Sequence, residues 1–81
     1  MQKINPQEIL WHSRRGMLEL DLLLVPFAEQ AFGSLSPQEQ SLYQDFLNNE
    51  DQDLYAWLIS GSQTTNDNFK PLIDKILAHN K

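Results

Sequence analysis

Residues Met17 to Phe32, MLELDLLLVPFAEQAF, decide the fold. Leu18-Glu19-Leu20-Asp21-Leu22 alternates apolar and polar positions as a strand would, but Leu23, Leu24 and Val25 continue the run without alternation and favour helix. Wound as a helix, the segment carries apolar side chains on nearly every side, and a helix of that kind is expected at the centre of a bundle. Gly33 is the expected stop. Pro26 removes one hydrogen bond from a helix interior at a cost of about 3 kcal/mol or more. It predicts a kink, or a break into two shorter helices.

The flanking chain reads as further short helices. Asn5-Pro6-x-Glu8 has the form of a capping box with proline at the first helical position, and Ile4 and Ile9 stand where a hydrophobic staple would place them. That helix is expected from Pro6 to Arg14 or Arg15, with Gly16 as a left-handed stop. Ser36-Pro37-Gln38-Glu39 repeats the same start signal, followed by an apolar face of Leu42, Tyr43, Phe46 and Leu47. A fourth helix begins near Asp51, with Leu54, Trp57 and Leu58 on its face and Gly61 as its end. After the polar stretch SGSQTTNDN (60–68), a fifth places Phe69, Leu72, Ile73, Ile76 and Leu77 on one side, with Pro71 in its first turn. The expected fold is therefore all-α: a single domain, a compact bundle of about five short helices.

Composition narrows the function. The chain has 81 residues and no cysteine, which excludes disulfide staples and thiolate metal sites. Six basic against eleven acidic residues give a net charge of -5, a poor match for nucleic acid or an anionic membrane. The N-terminal residues lack the apolar run of a signal peptide, and Leu20 to Ala28 is too short to span a bilayer, which needs about 20 residues. A cytoplasmic protein without membrane insertion is expected. A monomer is expected too, because the apolar residues can be placed in one core; an exposed Trp11 or Met17 would argue against it.

Catalytic signals are few. His12 and His79 are the only histidines, and neither has a second ligand at metal spacing. Glu50, Asp51 and Asp53 lack the spacing of a calcium loop and suit the start of a helix better. No glycine-rich phosphate loop or nucleophile motif is present.

One cluster stands out. Between Gly16 and Phe69 there is no lysine or arginine, while nine acidic residues occur. Arg14 and Arg15 stand side by side at the edge of that acidic stretch, followed by Gly16, Met17, Glu19 and Asp21. Two readings are open. The arginines and glycine can close the first helix while Glu19 favours the start of the second. Alternatively the corner is a docking surface, since arginine is enriched in binding hot spots and glycine lets another backbone approach.

At this cluster the sequence resembles the small bacterial and mitochondrial assembly factors that promote flavinylation of succinate dehydrogenase. The resemblance rests on Arg15-Gly16-x-x-Glu19, Pro26-Phe27-x-Glu29, Leu35-Ser36-x-x-Glu39 and Asp51-x-Asp53-Leu54-x-x-Trp57-Leu58. Glu8 departs from it, where a basic residue is usual. The resemblance implies a five-helix bundle that binds the flavoprotein subunit of succinate dehydrogenase, and in bacteria also that of fumarate reductase. It implies that FAD becomes covalently attached to that subunit, by the flavoprotein's own chemistry, while the small factor holds it in a competent arrangement. A chaperone-like factor is thus expected, not an enzyme. No dinucleotide fingerprint is present, so no tight FAD binding by the domain itself is expected. Arg14, Arg15, Gly16, Met17, Glu19 and Asp21 are the expected partner-binding residues; no catalytic or metal-binding residue is expected. The alternative that the resemblance carries is the antitoxin half of a toxin–antitoxin pair.

Overall fold

The structure is a computed structural model that describes residues 6–64 and 66–79. Five α-helices follow one another: α1 (Pro6–Ser13), α2 (Leu18–Gln30), α3 (Pro37–Leu47), α4 (Asp51–Leu58) and α5 (Phe69–His79), with a short 3-10 turn at Phe32–Ser34. No strand occurs among the described residues. The expected all-α bundle is what forms. The Cα radius of gyration, 11.6 Å, matches the roughly 12 Å of a compact chain this long.

Local signals fix most of the boundaries. At α3 the Ser36 Oγ accepts from the Glu39 N–H at 3.2 Å, and Glu39 Oε1 accepts from the Ser36 N–H at 3.0 Å, completing the expected box. Such a cap is worth about 1 kcal/mol. Lys75 of α5 pairs with Glu39 and fastens this helix start to the other end of the chain. The Lys75 and Ser36 hydrogen bonds hold the Glu39 carboxyl below the usual carboxylate range. Gly16 and Gly61 both take the left-handed conformation, with φ of +79° and +76°. The first helix ends at Ser13, a residue or two before the expected limit, and its predicted cap and staple at Ile4 and Asn5 lie outside the described residues. Gly33 does not stop α2, which closes at Gln30; the chain then tightens into the 3-10 turn.

The second helix lies at the centre, against α1, α4 and α5. Leu20, Leu24 and Phe27 are its buried face. Ile9, Tyr43, Phe46, Leu54, Leu58, Phe69, Leu72 and Ile76 fill the same core. Ring contacts join the layers: Phe46 lies 5.8 Å from Trp57 and 5.3 Å from Phe69, and Phe27 lies 5.4 Å from Tyr43, between ring centroids.

One expectation for α2 is corrected, and of the two outcomes open at Pro26 the break does not occur. The helix is not buried all round, for Leu18 and Leu22 are 69% and 61% exposed. A chain this small has too little mass to cover every side of a central helix. Nor does Pro26 break it, since the helix runs from Leu18 to Gln30 with the proline inside. The carbonyl that loses its partner belongs to Leu22, four residues earlier. Leu22 is exposed, so water can take the place of the missing N–H.

Candidate functional site

The corner between α1 and α2 is built from a tight chain reversal. After Ser13 the backbone turns, with the Arg14 N–H donating to the Trp11 carbonyl at 3.1 Å. Gly16 makes the left-handed step. A Cβ built on Gly16 would meet nothing within 4 Å, so the dihedral angle demands glycine here, not crowding within the chain. Met17 then enters α2 in extended conformation and offers no side-chain cap. Asp21, one turn into the helix, reaches back across the turn: its Oδ1 accepts from the Arg15 N–H at 2.7 Å. A carboxylate there also suits the positive end of the helix dipole.

Arg15 turns inward. Its Nε donates to Asp51 Oδ1 at 2.7 Å. Nη1 donates to the carbonyls of Leu47 at 2.8 Å and His12 at 3.1 Å, and Nη2 donates to the Asn49 carbonyl at 2.9 Å. The guanidinium thus sits where the last turns of α1 and α3 point their carbonyls, at the negative ends of two helix dipoles. Its carboxylate partner is the first residue of α4. Only 18% of the Arg15 side chain is exposed.

The six expected residues therefore divide. Arg14, Gly16 and Glu19 face solvent, and the Arg14 and Glu19 side chains have no hydrogen-bond or ion-pair partner among the described residues. Arg15 and Asp21 brace the corner from within, and Met17 packs against the core. Sequence reasoning did not select three further members of this region. Trp11 is 77% exposed, and Leu18 and Leu22 are exposed as well. Leu18 and Leu22, four residues apart, share one face of α2, and Glu19 neighbours Leu22 at i, i+3 spacing. The available signal was the surplus of apolar residues around α2, read as burial. Exposed apolar side chains grouped with a free carboxylate form the kind of surface another protein covers.

Beneath the corner lies a buried hydroxyl pair. Ser13 Oγ bonds the Ile9 carbonyl at 2.8 Å and Tyr43 Oη at 2.7 Å, pinning α1 to α3. Burial pushes the Tyr43 phenol up to about 12, with the Ser13 hydrogen bond and the Arg15 charge pulling the other way. An unfolded tyrosine ionises near 10. The folded state keeps the proton longer, so the stability from this group is intact below pH 10 and is lost as pH rises towards 12. That amounts to about 3 kcal/mol. Tyr43→Phe is expected to flatten this alkaline loss, measured as unfolding free energy against pH, and to remove the late component of tyrosinate absorbance.

Elsewhere the surface has little chemistry. No group of three or more His, Asp or Glu residues among those described could hold a metal ion. His12 is exposed, and His79 is engaged with Gln30 and the edge of Phe27. An open groove of about 250 Å³ runs beside α5, floored by Trp57, Ile73 and Leu77 and rimmed by Asp67, Lys70 and Asp74. No helix among the described residues is long and apolar enough to cross a membrane.

A family model described as "Flavinator of succinate dehydrogenase" matches residues 7–80. The chain belongs to this family. It is 43% identical over 72 residues to the FAD assembly factor SdhE of Vibrio cholerae, covering 89% of this chain and 84% of the relative. It is 39% identical over 69 residues to SdhE of Pseudomonas putida, covering 85% and 82%. With SdhE of Pseudomonas savastanoi pv. phaseolicola the identity is 35% over 77 residues, covering 95% and 92%. The match to the family spans the whole corner from Trp11 to Leu22.

Proposed function

We propose that this chain promotes covalent attachment of FAD to the flavoprotein subunit of succinate dehydrogenase, and to that of fumarate reductase, by docking on the subunit through its α1–α2 corner. The observation that carries this reading is the exposed set Trp11, Leu18 and Leu22 beside Arg14, the bare backbone of Gly16, and Glu19. Burying the apolar members supplies affinity, and the charged members fix orientation. The chain contributes no reacting group. FAD is bound and linked by the flavoprotein, which the factor holds in a competent arrangement. Trp11 is 77% exposed, which counts against the monomer expected from the sequence unless another protein covers it; in this reading the flavoprotein does so.

The test is reconstitution. Each purified apo-flavoprotein is incubated with FAD, with and without the chain, and covalent flavin is read as in-gel fluorescence after denaturation. The chain is expected to raise the covalent band, and Glu19→Ala to lose most of that gain. Covalent flavin that forms equally well without the chain would defeat the proposal for that flavoprotein.

A further inference from the structure

The Arg15-Gly16-x-x-Glu19 motif reads as one contiguous surface in sequence, but the structure separates its charges. Glu19 is free at the surface, while the Arg15 donors are taken up by Asp51 and by the carbonyls of His12, Leu47 and Asn49. We infer that Arg15 is a positioning residue, and that Asp51, on a different helix, is its working partner. Together they lock the α1–α2 corner against the turn between α3 and α4, and so hold Gly16 and Glu19 in the geometry the flavoprotein meets. The inference rests on the docking proposal above and deepens it.

Three observations carry it. The acceptors come from three separate places: the last turn of α1, the end of α3 with its following turn, and the first residue of α4. Among the described residues Arg15 is the side chain that reaches all three; the Ser13–Tyr43 pair joins α1 to α3 only. Second, the planar guanidinium suits this arrangement, because its donors diverge along fixed directions; a lysine ammonium is a single point and cannot reach the same set. Third, the backbone N–H of the same residue is held by Asp21. Main chain and side chain of Arg15 are therefore both committed inward, directly before the left-handed Gly16. Loss of the clamp removes the tie from this corner to α4 and the α3–α4 turn, leaving Gly16 beside the Asp21 contact and the packing of Met17 and Leu20, so the exposed groups would present in several geometries and bind less well.

The variants Arg15→Lys, Asp51→Asn and the double variant test this in the full chain, with Ser36→Ala as a control destabilised away from the corner. Affinity for the apo-flavoprotein is measured at a temperature where circular dichroism shows every variant folded. Each single variant is expected to weaken binding about tenfold, and the double variant by no more than the weaker of the two. Ser36→Ala is expected to bind as the parent does. In the free proteins, backbone amides from Arg15 to Asp21 are expected to exchange faster in both single variants than in Ser36→Ala. Two results would overturn the inference. One is an Arg15→Lys loss with no Asp51→Asn loss, which would place Arg15 on the partner. The other is losses that multiply in the double variant. If the parent chain fails to bind any flavoprotein, the docking proposal falls, while the exchange measurement still decides whether Arg15 and Asp51 hold the corner.

Discussion

Replacing Leu18 and Leu22 together by aspartate is expected to weaken flavoprotein binding by about a hundredfold or more and to leave the fold intact. Burying a leucine from full exposure is worth about 1.5–3 kcal/mol; Leu18 and Leu22 are 69% and 61% exposed, so the pair accounts for about 2–4 kcal/mol if the partner covers both. At 1.4 kcal/mol per factor of ten, that corresponds to about one and a half to three orders of magnitude in affinity. Aspartate adds a desolvation penalty on the bound side. The free chain tolerates the change for a plain reason: both side chains are mostly in water already, and exposed substitutions usually stay within about 0.5 kcal/mol. Leu18 is the first residue of α2, where a carboxylate also suits the dipole. Calorimetric titration with the flavoprotein and a thermal melt of the free chain measure the two halves of this expectation. Retained affinity would remove the apolar stripe from the interface.

The second large effect lies in the scaffold. Phe46 has no exposed surface and its ring contacts Trp57 and Phe69, so one side chain of α3 ties α4 to α5. Truncating a buried phenylalanine to alanine costs about 3–5 kcal/mol, against a total stability of about 5–15 kcal/mol for a domain. Phe46→Ala is expected to lower the unfolding midpoint by about 12–40 °C, at about 4–8 °C per kcal/mol for a chain of this length. A shift of only a few degrees would show that α4 and α5 do not depend on this contact. The contrast between the two variants separates the halves of the molecule's task. One removes binding without stability, the other stability without touching the corner.

How much of this was legible in the sequence depends on the range of each interaction. The capping box at Ser36 and Glu39 is a contact across three residues, and its pattern is complete in the chain. The same holds for the left-handed turns at Gly16 and Gly61. The apolar faces of α3, α4 and α5 follow from spacing alone. Arg15 is the opposite case. Its partner Asp51 is 36 residues away, and no local pattern distinguishes an arginine that reaches across a bundle from one that meets solvent. Adjacent Arg14 and Arg15 look alike in sequence; packing turns one outward and the other inward. The excess of leucine in α2 was visible, but periodicity counts apolar positions and not the neighbours available to cover them. In a bundle of only five short helices those neighbours run out, and the uncovered leucines are left beside Glu19.

The central claim is that the corner between α1 and α2 is what meets the flavoprotein. Hydrogen–deuterium exchange of the chain, free and in complex with the apo-flavoprotein, tests it most directly. The account predicts that new protection on binding centres on residues 11–22, with the groove between Trp57 and Leu77 unchanged. Protection confined to that groove and α5, with exchange across residues 11–22 unaltered, would contradict it.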